Sequence, residues 1–256
     1  MRLGFLGTGM ITDAVVRGIF ASDANVEKIF VSPRNTQIAH KLAADFSSIK
    51  IAKSNQEVVD CSDTIFVALR AQIAEETIKS LIFCKEKKLV TFMPTITCAM
   101  LSGWINHIAP ILRAMPLPFI AEHKSVTPIF PVDQDLQEIF SRTGGVIEVK
   151  NEQQFNLFMT AGSIMGLYFR FVGICNDWMQ EQGLDSDQTT LYLAQLFSGL
   201  AEEAVKQKTI DFKILQKKFS TIGGTNELMT RLFEEKRGTD VINGVLNEAL
   251  SFIVKT

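Results

Sequence analysis

The chain has 256 residues, 46% of them apolar, with 26 basic against 28 acidic side chains and a formal net charge of −2. A chain of this size and composition can bury a substantial core in one large or two ordinary domains. Without a basic tract it offers little to nucleic acid or to an anionic membrane surface. No run approaches about 18 apolar residues free of charge, and the N-terminus enters a strand directly instead of opening with a signal peptide. A soluble, cytoplasmic protein with no membrane or nucleic-acid partner is expected. Cys61, Cys84, Cys98 and Cys175 lie far apart with no Cys-x-x-Cys pair, and His40, His107 and His123 stand elsewhere. Free buried thiols are therefore expected, and no metal site.

The first apolar run, Arg2 to Leu6, breaks at Gly7-Thr8-Gly9 and continues with helical spacing from Met10 to Phe20. Ile29 to Val31 predicts a second strand, Thr36 to Phe46 a helix, Ile49 to Ile51 a short strand and Asn55 to Asp60 a helical turn. Thr64 to Leu69 reads as a buried strand, Ile73 to Phe83 as a helix and Leu89 to Met93 as a strand. Ile111 to Pro116 is a strand stopped by proline, followed by Ser125 to Pro131, a helix over Asp133 to Thr143 and a final strand over Gly145 to Val149. This alternation predicts an α/β fold: a Rossmann-like, mostly parallel sheet with helices on both faces and ligands at the carboxyl ends of its strands. From Asn151 onward the pattern is helical only. A long helix is expected around Phe155 to Gln182, another over Ser186 to Lys208 and two more after Asp211, with Gly183 to Ser186 as a helix stop and N-cap. The expected division is a nucleotide-binding domain over 1–150 and an all-α domain over 151–256. The long helix, with Met159, Ile164, Met165, Leu167, Phe169, Phe171, Val172 and Ile174, is greasier than one small bundle needs. Packing of two such helices in a dimer would bury it.

The glycine turn carries the first functional signal. Gly7 permits a tight strand-to-helix turn, and Gly9, lacking a Cβ, lets the backbone approach a pyrophosphate at the positive end of the helix. The third glycine of the usual fingerprint falls at Thr12, although small Ala14 allows close packing of helix on strand. A purely structural turn is the competing reading. The end of the second strand discriminates further, because Ser32-Pro33-Arg34-Asn35 stands where an acid would accept bonds from the ribose hydroxyls. Ser32 offers a hydroxyl and Arg34 a planar fork of donors suited to a phosphate, which favours NADP(H) over NAD(H).

Several stretches then line up with one family. They are Gly7-Thr8-Gly9-Met10 through Ala14, Val31 to Arg34, Asn55 with Glu57, Val67 to Gln72, Arg113-Ala114-Met115-Pro116, Gly162-Ser163 and Thr221-Ile222-Gly223-Gly224-Thr225. Over essentially its full length the chain resembles pyrroline-5-carboxylate reductase, the NAD(P)H-dependent imine reductase of proline biosynthesis. The resemblance implies a pyrophosphate site at Gly7, Thr8, Gly9, Met10 and Ile11, and a 2′-phosphate site at Ser32, Arg34 and Asn35. It places Asn55 and the backbone of Ala68, Leu69, Arg70 and Ala71 along the ribose and nicotinamide, with Met93, Pro94 and Thr95 facing the nicotinamide. Substrate would be held by Met115, Ser163, Thr221, Gly223, Gly224 and Thr225, with Thr225 and Asn226 as the catalytic pair, supplied by the same subunit and by its partner. It implies a homodimer through the C-terminal helices, with rings of dimers left open.

The departures fall in the substrate half. The family's Asn-Thr-Pro after Arg-Ala-Met-Pro is here Leu117-Pro118-Phe119, its Ser-Gly-Ser-Gly-Pro-Ala-Tyr is Ala161 to Leu167, and its Ser-Pro-Gly-Gly-Thr-Thr is Thr221 to Asn226. Gly223-Gly224 before a helix still exposes N–H groups to an anion such as a carboxylate, with Thr221 and Thr225 as donors. Asn226 can donate to an imine nitrogen but cannot relay a proton as a hydroxyl can, so a bound water is the alternative proton source. Three functions follow: reduction of pyrroline-5-carboxylate, reduction of a different or larger imine or ketone, and a non-catalytic NADP-binding role.

Overall fold

A computed structural model describes residues 1–255 and divides them into two compact units, 1–160 with 250–255 and 161–249. The first contains β1 (Arg2–Leu6), α1 (Met10–Phe20), β2 (Lys28–Val31), α2 (Thr36–Asp45), β3 (Ile49–Ile51) and α3 (Asn55–Cys61). It continues with β4 (Thr64–Val67), α4 (Ala71–Lys79), β5 (Lys88–Thr91), α5 (Cys98–Trp104) and β6 (Ile111–Ala114). A 3-10 helix (Pro118–Glu122), β7 (Thr127–Phe130), α6 (Gln134–Arg142), β8 (Val146–Glu148) and α7 (Glu152–Gly162) complete the series. The 8-stranded sheet runs in the order β3-β2-β1-β4-β5-β6-β7-β8, with only the β6–β7 pairing antiparallel. Helices on both faces follow from the strands' alternation. Leu3, Phe5, Ile29, Val31 and Phe66 share one core with Val15, Ile19 and Leu42 of α1 and α2, and with Ile139 and Phe140 of α6. Phe30, Ile65, Val67 and Leu89 point the other way, onto Val58, Ala74, Ile78 and Leu101 of α3, α4 and α5. Strand order reverses between β1 and β4, the crevice where such sheets bind ligands.

Two elements of this unit escape the sequence pattern: α5, capped by the Thr97 hydroxyl on the Met100 N–H, and the 3-10 helix. The contact boundary at 160/161 lies beyond the change from strand to helix near residue 150, because α7 belongs with the sheet. Phe155 and Met159 pack with Val149 and with Ile253 from the chain's end.

The second unit is helical: α8 (Ile164–Glu181), α9 (Ser186–Val205), α10 (Phe212–Phe219), α11 (Thr225–Glu235) and most of α12 (Gly238–Lys255). Three helices follow Asp211, not two, since Gly223-Gly224 and the Arg237-Gly238 corner each interrupt a pattern that reads as continuous. The expected single long helix is α7 and α8 with Ser163 between them. Glu152–Glu181 is apolar and long enough to cross a bilayer by length and composition alone, at a mean hydropathy of 1.5, although Arg170 keeps it from being a charge-free apolar run. The cysteines are free thiols but not fully buried; Cys84 is exposed and Cys61, Cys98 and Cys175 are half-buried.

Candidate active site

The β1–α1 turn is built at the strand reversal. Gly7 has φ +98, and a Cβ there would lie 2.4 Å from the Ala68 carbonyl oxygen, so only glycine lets the β1 and β4 loops close on each other. Ala68 N–H in turn donates to Leu6 O at 2.8 Å. Thr12, in the third-glycine position, turns its hydroxyl back to Gly7 O at 2.7 Å. Gly9 is the N-cap of α1 with no side-chain cap, and a Cβ added there would meet nothing within 4 Å. The first intrahelical bond starts at Asp13 N–H to Gly9 O, leaving the N–H groups of Met10 and Ile11 without a partner among the described residues. Open space over an uncapped helix start fits a pyrophosphate. Ile11 packs its side chain on the core while Met10 is 82% exposed, so both would serve through the backbone.

Two cofactor assignments change. Ser32 is 1% exposed; its Oγ accepts from Gly7 N–H at 3.1 Å, and its carbonyl accepts from the Thr8 hydroxyl at 2.7 Å. It clamps the glycine turn from beneath instead of presenting a hydroxyl to a 2′-phosphate. Met93 is 4% exposed within the second core cluster, so its side chain faces the core and not a nicotinamide. Arg34 is exposed just past β2 and has no ion pair among the described residues. Asn35 caps α2, accepting from Ile38 N–H at 3.4 Å. Asn55 begins α3 after the Ser54 cap, and Arg70 is the N-cap of α4 following Ala68 and Leu69.

Sequence reasoning took Arg113 as a matching motif and missed what it does. Its side chain is fully buried, donating to Pro94 O at 2.9 Å, to Glu152 Oε1 at 2.9 Å and to Asn156 Oδ1 at 3.0 Å, with the guanidinium 4.5 Å over the Phe155 ring. It ties the loop after β5 to α7. The signal was present: an arginine inside the apolar run Ile111-Leu112-Arg113-Ala114 requires buried partners. Glu152 also accepts from Cys98 N–H at 3.1 Å. Burial, reinforced by the Glu152 charge, pushes the Cys98 thiol up to about 11, so it stays protonated and unreactive at neutral pH. Met115 packs beside Phe155 and Met159 in the third cluster.

In the second unit, Gly223 has φ +74 and Gly224 N–H donates to Thr221 O at 2.9 Å, forming a tight turn that Thr225 leaves as the first residue of α11. The hydroxyls of Thr221 and Thr225 have no partner among the described residues. Asn226 donates one amide N–H to Phe219 O at 2.7 Å, which fixes the side chain and leaves its second N–H. Ser163 is exposed at the start of α8. A groove of about 780 Å³, walled by Tyr168, Phe197, Phe212, Phe219 and Met229, has Asn226 on its edge.

A reversed-order parallel sheet with an open glycine turn, joined to a helical unit, defines a dinucleotide-dependent oxidoreductase. Residues 2–93 match the family model described as NADP oxidoreductase coenzyme F420-dependent, and residues 152–253 match that of pyrroline-5-carboxylate reductase dimerisation. Matched in this order, the two halves support the pyrroline-5-carboxylate reductase family, and the chain is an NAD(P)H-dependent oxidoreductase acting on C=N. It is 28% identical to the pyrroline-5-carboxylate reductase of Escherichia coli over 249 residues, covering 92% of this chain and 90% of that one. Against the Pseudomonas aeruginosa enzyme it is 20% identical over 258 residues, covering 97% and 94%. The structure of a pyrroline-5-carboxylate reductase from Coxiella burnetii superposes with a TM-score of 0.84 at 18% identity, covering 99% and 97% of the two chains. That of the Plasmodium falciparum pyrroline carboxylate reductase, with NADP bound, does so at 0.81 and 17%, again covering 99% and 97%.

Proposed function

We propose that this protein reduces a cyclic imine with NADPH, with 1-pyrroline-5-carboxylate to L-proline as the leading reaction, in the cytoplasm and as a homodimer through its C-terminal helices. The observation that carries this reading is the uncapped start of α1 over open space at Gly9, within a chain whose two halves both match this family. When bound, NADPH supplies the hydride. The chain's own part is to position and polarise. The Met10 and Ile11 N–H groups hold the pyrophosphate, Arg34 takes the 2′-phosphate, and Ser32, Thr8 and Thr12 keep the turn in shape. Thr225, with its free hydroxyl at the positive end of α11, holds a proton toward the imine nitrogen, a role Asn226 fills less well because an amide cannot relay a proton as a hydroxyl can. The Gly223-Gly224 turn and the Thr221 hydroxyl orient the rest of the substrate.

A second reading, reduction of a different imine, is favoured by the apolar groove that Asn226 helps to line. The test is NADPH oxidation by the purified protein, followed by absorbance, with pyrroline-5-carboxylate beside other cyclic imines and with NADH as control. Turnover of pyrroline-5-carboxylate on the order of 1 per second or faster is expected. Tight NADPH binding with no turnover of any imine would instead support a non-catalytic role.

A further inference from the structure

A buried ion pair seldom stabilises a fold more than apolar side chains of the same volume would, so one placed inside a sheet calls for another reason. Arg113, on the inner strand β6 and in register with Thr91 of β5, is fully enclosed, with Glu152 as its counter-ion. What the pair holds is one loop. Residues 92–97 leave β5 and enter α5, pinned at three points. Thr91 Oγ1 accepts from the Met93 N–H at 3.0 Å, Pro94 O accepts from Arg113 Nη2 at 2.9 Å, and Glu152 Oε1 accepts from the Cys98 N–H at 3.1 Å. The same Glu152 oxygen accepts from Arg113 Nη1 at 2.9 Å, so a single guanidinium–carboxylate pair grips the loop near both of its ends. Asn156 Oδ1 takes a second bond from Nη1 at 3.0 Å, and the guanidinium lies 4.5 Å over the Phe155 ring, which together fix the plane of the fork. With Phe92, Met93 and Ile96 buried, the loop leaves Pro94 exposed and Thr95 half-buried at the carboxyl end of β5.

We propose that Arg113 and Glu152 are positioning residues for the reduction: they fix the loop whose outward residues, Pro94 and Thr95, bear on the nicotinamide end of the cofactor. This rests on the reading of the chain as an NADPH-dependent reductase with Pro94 and Thr95 facing the nicotinamide. Arg113 acts through the Pro94 backbone and touches no reacting atom. A pair that served the fold alone would affect every ligand alike. This one acts on the nicotinamide end only, because the pyrophosphate and 2′-phosphate ends rest on α1 and on the residues after β2.

Two variants test it. Arg113→Lys keeps the charge but gives up the fork that spans Pro94 O and Glu152. Asn156→Ala leaves the ion pair in place and is the milder change should the first fail to fold. Calorimetry measures the binding of NADPH and of adenosine 2′,5′-bisphosphate, which has the 2′-phosphate end and no nicotinamide, to the wild type and both variants. NADPH is expected to weaken about tenfold in Arg113→Lys and about threefold in Asn156→Ala, with the bisphosphate unmoved. At saturating NADPH, kcat for the imine is expected to fall about tenfold to a hundredfold in Arg113→Lys with its KM nearly unchanged, since misplacing a reactant by about 1 Å costs on that order. Equal weakening of both ligands, or unchanged NADPH binding and kcat, overturns the proposal. Thr95→Trp tests the loop's placement separately: NADPH binding lost there, beside an unaffected Arg113→Lys, overturns the role of Arg113 and keeps the reading on which it rests. A wild type that binds NADPH but reduces no imine counts against the assigned reaction alone, because the two affinities still decide the role of Arg113.

Discussion

Arg34 and Ser32 lie two positions apart and do opposite jobs. Ser32 is spent on Gly7 and Thr8, a buried hydroxyl that fixes the turn, whereas Arg34 stands in solvent with its guanidinium uncommitted. We therefore propose that the preference for the phosphorylated cofactor falls on Arg34. Hydrogen bonds to charged groups contribute about 1.5–3 kcal/mol each. Arg34→Ala is expected to weaken NADPH by about tenfold to a hundredfold while leaving NADH nearly unchanged, read by fluorescence titration of the two cofactors. Equal weakening of both would remove Arg34 from the 2′-phosphate. The residue types at these positions were legible as polar and suited to a nucleotide. Which one faces outward was not, because that depends on how deep the β1 turn lies against β2.

At the scale of elements, the 3-10 helix shows how tertiary closeness overrides local pattern. Pro116 and Pro118 read as a strand stop, yet the segment after them folds against α1. Ile120 is fully buried, and His123 shares a hydrogen bond with Gly18 O at 2.9 Å. Gly18 is what permits the contact: a Cβ there would stand 2.4 Å from Ile120 O. Since that atom is backbone, the 3-10 helix must move as a body to accommodate a methyl group. Gly18→Ala is expected to destabilise the sheet-bearing unit by about 1–3 kcal/mol, read as a lower denaturation midpoint with an unchanged slope. A variant as stable as the wild type would show that the two elements separate freely. The same segment replaces the family's Asn-Thr-Pro with Leu117-Pro118-Phe119, so a departure in sequence has become a packing element, with Leu117 N–H held by the Ser125 hydroxyl at 3.1 Å.

At the scale of the whole molecule, the helical unit leaves large apolar side chains uncovered. Phe169 is 69% exposed, Trp178 61% and Phe171 52%, all on α8. Asn176, Asp177 and Gln180 on the same helix suit it poorly to a bilayer interior, and the family model over residues 152–253 is one of dimerisation. A second copy of the chain is the expected cover. Sedimentation at micromolar concentration is expected to give a dimer or a larger assembly, and Phe169→Asp to shift it toward monomer with a lower, concentration-dependent melting temperature. A wild-type monomer would overturn that arrangement.

The order of strands and helices in the first 150 residues was determined by the sequence alone, because apolar runs of period 2 and 3.6 punctuated by glycine and proline are local signals. The glycine turn, the NADP preference and the helical second half were legible for the same reason. Tertiary structure decided the contacts between segments. It buried Ser32 and Met93 and enclosed Arg113 with Glu152, Asn156 and Pro94. The burial of Ser32 and Met93 and the enclosure of Arg113 depend on distances between segments that the chain's local chemistry does not encode, whereas the breaks at Gly223-Gly224 and Arg237-Gly238 and the Glu227 contact with the Gly223 N–H are local features that the helical periodicity masks.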